Sequence, residues 1–206
     1  MTDPQSIDKG NRFERFLGRY QEGKVPWDDP VPPPEIIALA SELSPGRGLD
    51  LGCGYGRSAI YLAELGWSMD GVDFVPQAVE TARHRASAAG VAGRARFYQG
   101  SVTDLAFLNP PYDLAIDVGC MHSLTGNALL AYRDGLVRLL RPDGQYTLFA
   151  HLRADDDPDE DARGIPERIL MQLMEGYFRL DKVEHGVTQV TDGPVWTSGW
   201  FWFSRQ

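Results

Sequence analysis

GLDLGCGYGRSAIYLAELG, residues 48–66, decides the fold. A short apolar run, RGLDLG (47–52), leads into three glycines at alternate positions, Gly52, Gly54 and Gly56, and a helical pattern, RSAIYLAELG (57–66), follows at once. That order reads as strand, glycine-rich turn and helix. Glycines at the end of a strand let a ligand lie against bare backbone. The spacing is not the G-x-G-x-x-G of a nicotinamide or flavin site, because Arg57 holds the third glycine position and Gly56 comes one residue early. A phosphate-binding loop is excluded too, since no Gly-Lys-Ser/Thr is present. Asp50, just before the loop, suits a cation rather than a phosphate.

Outward from this stretch the chain alternates short apolar runs with helical ones. SMDGVDF (68–74), ARFYQG (95–100), YDLAIDVG (112–119) and GQYTLFAHL (144–152) read as strands. PQAVETARHRASAAG (76–90), ended by Gly90, and NALLAYRDGLVRLLRP (127–142) read as helices. This rhythm predicts a parallel sheet with helices on both faces. Near the end, YFRLDKVEHGV (177–187) and VWTSGWFWFSRQ (195–206) form a hairpin pattern, so one strand runs antiparallel. The last segment puts Trp196, Trp200 and Trp202 on one side and Phe201 and Phe203 on the other, which places it inside the sheet. At the other end, FERFLGRYQEG (13–23) suits a short helix and KVPWDDPVPPP (24–34) does not. A helix is expected from Pro33 or Pro34 through EIIALASEL.

The 206 residues suffice for one domain with a full core, and a formal net charge of -9 disfavours nucleic acid and anionic membrane as partners. No run approaches the ~18 apolar residues of a membrane helix. The first residues, MTDPQSIDKG, lack a signal-peptide apolar region. Two cysteines, Cys53 and Cys120, are too few for a disulfide framework. A cytoplasmic location is expected on these grounds.

GVDF ends in Asp73, at the tip of the second strand, where a carboxylate can accept both hydroxyls of a ribose. A ribose and a positive group beside glycine backbone, without phosphates, are the features of S-adenosylmethionine. The pattern D-L-G-C-G-x-G-R-x-A-x-x-L-A-x-x-G followed by G-V-D-F resembles the class I S-adenosylmethionine-dependent methyltransferases over roughly residues 26–152. In local texture it is most similar to the small single-domain group that includes tellurite-resistance and thiopurine methyltransferase-like proteins. The resemblance implies an α/β fold with a Rossmann-like, doubly wound, seven-stranded sheet of order 3-2-1-4-5-7-6, strand 7 being antiparallel. Residues 1–206 are expected to form a single domain, with 1–34 as lead-in and lid and 35–206 as core.

Carried onto this sequence, the resemblance makes Asp50, Gly52 and Gly54 the floor under the methionine part of the cofactor, with the thiols of Cys53 and Cys120 lining the site. Asp73 takes the ribose hydroxyls and Phe74 packs on the adenine. Ser101 stands where the family commonly has an acid; its hydroxyl faces the adenine amino group, and Val102 offers its backbone N–H to the ring. Asp104 is a substitute acid or a turn cap. DVGCMHSL brings Asp117, Gly119 and Cys120 beside the methionine moiety and the transferred methyl. Trp27 is placed as a lid whose ring face attracts a sulfonium.

His122 is the candidate general base, with His151 next. NPPY (109–112) is also a motif of amino-methyltransferases, but here it precedes the better strand and reads as a turn. ADDDPDEDARG (154–164) has carboxylates that suit Mg²⁺, yet reads as a solvated loop at the ligand end of the sheet, so no metal is expected. The expected activity is methyl transfer to an oxygen, nitrogen or sulfur of a small-molecule acceptor, leaving S-adenosylhomocysteine as product. Two rivals stand beside it: a non-catalytic protein that binds the same cofactor, and an NAD(P)-dependent oxidoreductase.

Overall fold

The computed structural model describes residues 17–20, 22, 25, 27–155, 164–189 and 195–206. Most of the acidic run lies outside the described residues, as does the beginning of the lead-in.

Five strands alternate with helices through the first three quarters of the chain: β1 (Arg47–Leu51), β2 (Ser68–Asp73), β3 (Ala95–Gln99), β4 (Tyr112–Val118) and β5 (Leu140–Arg153). The helices are α1 (Pro34–Glu42), α2 (Arg57–Glu64), α3 (Pro76–Ala88) and α4 (Asn127–Leu139), followed by a two-residue strand β6 (Ile165–Pro166) and α5 (Glu167–Met174). The chain closes with β7 (Phe178–Gln189) and β8 (Val195–Arg205). The strands lie in the order β3-β2-β1-β4-β5-β8-β7, with β6 paired to the end of β5. β1 to β5 are parallel, and β8 runs antiparallel to both β5 and β7. Since β6 shifts the last two numbers by one, this is the expected order. The tryptophan-rich strand is internal, as its two bulky faces require: Phe201 and Phe203 are buried on one face, and Trp200 is buried on the other.

Proline sets two of the helix starts. α1 begins at Pro34 and α3 at Pro76, where the missing N–H has no partner to lose. α4 ends at Leu139, three residues before the expected stop at Pro142. Leu140 already has the extended ψ of 140° that begins β5, and Arg141, the residue before Pro142, is disfavoured in the α region. α5 is not among the expected elements, although Leu170, Leu173 and Met174 bury one face of it. Asn109, Pro110 and Pro111 form a bend that leads into β4 at Tyr112.

Two cores flank the sheet. One joins Leu49, Leu51, Ala115 and Leu148 to α4 and α5 through Leu129, Leu136 and Leu170. The other packs Met69, Leu114 and Ile116 under α1, α2 and α3 through Ile36, Leu62 and Val79. Burial of both faces leaves the carboxyl edge of the parallel strands as the place where loops meet, which is where such sheets hold ligands.

Candidate active site

The turn after β1 is fixed by its own backbone. Gly52 N–H and Cys53 N–H both donate to Val72 O, at 2.8 and 3.1 Å. Gly52 has φ 72°, and a Cβ there would stand 2.5 Å from Cys120 Cβ. The turns after β1 and β4 therefore abut, and only glycine fits between them. Asp50 is buried behind this turn. Burial pushes its carboxyl up to about 7, with the neighbouring Asp117 adding to the rise and the Ala59 N–H and Arg57 opposing it.

Asp73 closes β2. One carboxylate oxygen accepts from Gly54 N–H and the other from Val75 N–H, both at 2.9 Å. These donors tie the glycine turn to the second strand. Burial nevertheless raises the Asp73 carboxyl, against the pull of the Val75, Gly54 and Phe74 N–H groups.

Trp27, Asp50, Gly52, Cys53 and Gly54 come together around one narrow cleft, which Val118 at the end of β4 also borders. Phe74 packs beside it with Trp27 against a small apolar cluster centred on Tyr20 and Val75. Tyr20 was not among the expected residues. Its hydroxyl accepts from Trp27 Nε1 at 3.2 Å, and it stands 3.2 Å from where a Cβ of Gly54 would be. Its ring meets Tyr55 edge-on at 5.1 Å. Tyr20 carries no motif; FERFLGRYQEG shows helix periodicity and nothing more.

Other expected residues sit elsewhere. Asp117 is fully buried, and its carboxylate is used within the chain. One oxygen accepts from Cys120 N–H (2.6 Å); the other accepts from Met121 N–H (3.0 Å) and Tyr132 Oη (2.6 Å). Burial still lifts it to about 6. Through these bonds Asp117 holds the turn that carries Gly119 and Cys120. Gly119 N–H in turn donates to Phe149 O at 3.1 Å. Ser101 lies outside the cleft on the turn after β3, its hydroxyl accepting from Thr103 N–H at 3.2 Å. Val102 is buried in the core, and Asp104 N–H donates to Ser101 O at 3.0 Å, so this segment is a hydrogen-bonded turn. The Cys53 thiol is pushed well above its usual range by burial, so it stays protonated and is not a nucleophile.

His122 lies on the short 3₁₀ turn Met121–Ser123, beside Gly119. Its Nδ1 accepts the backbone N–H of His151 at 3.3 Å, and the two rings meet edge-on with centroids 4.8 Å apart. A neutral imidazole whose Nδ1 accepts carries its proton on Nε2. In that tautomer the ring presents an Nε2–H donor toward any bound acceptor. His151 is also enclosed by Phe149 and Trp196, at 5.4 Å from each. Among the described residues, no cluster of His, Cys, Asp or Glu is arranged to hold a metal ion, and no helix is long and apolar enough to cross a membrane.

A glycine turn over one buried acid, with a second acid at the next strand tip, fits a positively charged nucleoside cofactor. Residues 49–144 match the methyltransferase domain family. The chain is 28% identical to the 2-heptyl-1-hydroxyquinolin-4(1H)-one methyltransferase of Mycobacteroides abscessus over 181 residues, 87% of this chain and 77% of that one. It is 30% identical to an uncharacterised methyltransferase of Schizosaccharomyces pombe over 102 residues, 50% of this chain and 69% of that one. Its fold matches the 1,6-didemethyltoxoflavin-N1-methyltransferase of Burkholderia thailandensis, solved with that compound and S-adenosylhomocysteine bound. There the TM-score is 0.73 and the identity 22%, over 100% of this chain and 92% of that one. The chain belongs to the class I S-adenosylmethionine-dependent methyltransferases. It is an enzyme of that class, and S-adenosylmethionine is its cofactor.

Proposed function

We propose that this methyltransferase acts on a small molecule, a flat nitrogen heterocycle with an exposed oxygen or nitrogen nucleophile. The cofactor half of the reading is carried by the pairing of Asp50 and Asp73 around the Gly52–Gly54 turn. The Mycobacteroides relative, named for a hydroxyquinolone, supports the acceptor class. The aromatic side chains of Phe149, His151 and Trp196, gathered beside the β4 turn, support it as well, because flat rings pack favourably on such edges and faces.

In this reading Asp50 pairs with the ammonium of the methionine part and Asp73 accepts from the ribose hydroxyls. Gly52, Cys53, Gly54 and Gly119 present backbone. Phe74 and Trp27 cover the adenine and sulfonium, and the Ser101–Val102 turn borders the adenine. The cofactor supplies the activated methyl group. The protein aligns the acceptor lone pair with it at about 3 Å and keeps water out. For an oxygen acceptor that reaches the site already deprotonated, His122 donates from Nε2 to one lone pair while another attacks the methyl. A neutral nitrogen acceptor keeps its single lone pair for the methyl, and its proton leaves to water after transfer.

Calorimetric titration with S-adenosylhomocysteine, alongside NAD⁺, tests the site assignment. Binding of the first alone, lost in Asp73→Ala, is expected; binding that survives Asp73→Ala removes Asp73 from the ribose site. Incubation with S-adenosylmethionine and 2-heptyl-1-hydroxyquinolin-4(1H)-one then tests the acceptor class, read as formation of a methylated product by mass spectrometry. Turnover of open-chain amines or thiols in preference to any ring acceptor refutes it.

A further inference from the structure

The segment before α1 crosses the cleft and is tied down at one point. Asp28 makes a two-point ion pair with Arg85 of α3: Arg85 Nη1 and Nη2 donate to the two carboxylate oxygens at 2.7 and 2.8 Å. The same guanidinium lies over the Tyr55 ring, 4.6 Å from its centroid. Tyr55 stands between Gly54 and Gly56 in the glycine turn and meets Tyr20, which in turn accepts from Trp27. One contact chain thus runs from α3 through Arg85 to Asp28 and Tyr55, and from both to the side chains above Gly54.

Two further facts bear on what this tie does. The cleft under Trp27 measures about 40 Å³. That is far below the roughly 300 Å³ at the small end of sites for drug-sized ligands. Beyond Asp28 the strap stands away from the helices, over a cavity of about 370 Å³ bounded by Pro30, Pro32, Arg57, Tyr61 and Arg85. Its polar tie to α2 there is long, Arg57 Nη1 to Val31 O at 3.4 Å. So the strap is closed over the cofactor cleft, exposed from Asp29 to Val31 and buried again at Pro32, and the bidentate pair is its strongest polar anchor among the described contacts.

We propose that the Asp28–Arg85 pair is the clasp of a gate: residues 27–33 must lift for the cofactor to enter or leave, and the clasp sets the rate of both. Arg85 and Asp28 are positioning residues, since neither is assigned a contact with the reacting atoms. The proposal rests on the cofactor lying at the Gly52–Tyr55 turn. Loss of binding in Asp73→Ala tests that placement separately from the clasp.

Stopped-flow tryptophan fluorescence with S-adenosylhomocysteine, on the full chain, measures entry and release directly. In Asp28→Asn and in Arg85→Gln both rate constants are expected to rise on the order of fivefold, as about 1 kcal/mol for a well-formed, half-exposed pair implies. The equilibrium constant changes less than either rate. Arg85→Lys keeps the charge but loses the two-point contact, and falls between. The double variant is no faster than either single one, because one clasp can be lost once. Unfolding temperatures of the ligand-free variants check that each is folded. Unchanged rates in folded variants overturn the proposal. Faster release with unchanged entry also overturns it, since that marks a binding contact and not a gate. Additive effects in the double variant overturn the pairing of the two residues.

Discussion

Cofactor binding should depend on pH through Asp50. Its carboxyl sits at about 7, because burial and the adjacent Asp117 disfavour the charge. A cationic ammonium against it is held well only when Asp50 is ionised. With a single group at about 7, the ionised fraction is about 0.09 at pH 6 and about 0.76 at pH 7.5. Affinity for S-adenosylhomocysteine should therefore rise about eightfold over that interval, or about 1.3 kcal/mol. Binding at pH 6 should also release close to one proton, about 0.9, which calorimetry in buffers of different ionisation enthalpy reads directly. Asp50→Asn keeps the shape, and should bind weakly with no slope and no proton release. The ligand-free protein should show the opposite dependence. A raised folded value means that the folded state holds its proton more tightly than the unfolded chain. That stabilisation is fully present below the ordinary carboxyl value of 3.8 and is lost as pH rises through about 7. Wild-type affinity that is flat from pH 6 to 7.5, or a slope kept by Asp50→Asn, refutes the assignment of Asp50 as the cation's partner.

Tyr132→Phe removes the hydroxyl that donates to Asp117 at 2.6 Å and meets Tyr146 Oη at 3.0 Å. Urea unfolding should show a loss of about 1–3 kcal/mol, and a loss below about 0.5 would mean that the buried carboxylate does not need this donor. Gly56→Ala places a Cβ 2.7 Å from Phe97 Cε1 at a residue with φ 81°, so about 1–3 kcal/mol of stability should go, together with cofactor affinity. An alanine variant as stable as the wild type would show that the turn can be remade without strain.

What was legible in the sequence was local in period. RGLDLG followed by glycines and a helix fixed β1, its turn and α2. The two-sided bulk of Trp200, Phe201 and Phe203 fixed an internal last strand, since side-chain alternation needs only neighbours along the chain. What escaped depends on residues far apart. Arg85 meets Asp28 across 57 positions, and neither stands in a motif. His122 Nδ1 faces the backbone N–H of His151, 29 residues on, and a backbone donor leaves no trace in residue identity. Asp117 was rightly placed at the end of its strand, but Tyr132, 15 residues later, takes one of its oxygens inward. That bond gives the carboxylate a structural partner that no motif announces.

Three carboxylates therefore end adjacent strands: Asp73 on β2, Asp50 on β1 and Asp117 on β4. All three are buried and all three are pushed upward, with Asp117 and Asp73 both raising Asp50. A buried negative charge needs a partner, and Arg57 is the cation that acts on Asp50 from within the chain. A ligand that brings positive charge relieves this field. A dinucleotide brings a pyrophosphate and would add to it. The glycine spacing and the field thus disfavour the same rival by independent routes: Arg57 stands where the dinucleotide fingerprint has the glycine that lets helix and strand pack closely, and ionised Asp50 and Asp117 repel a pyrophosphate. Of the two, the field is the stronger discriminator, because a turn can be reshaped by a few residues but three strand-end acids belong to the sheet itself. A variant that removed Asp50 alone would weaken the preferred cofactor without opening the site to NAD⁺.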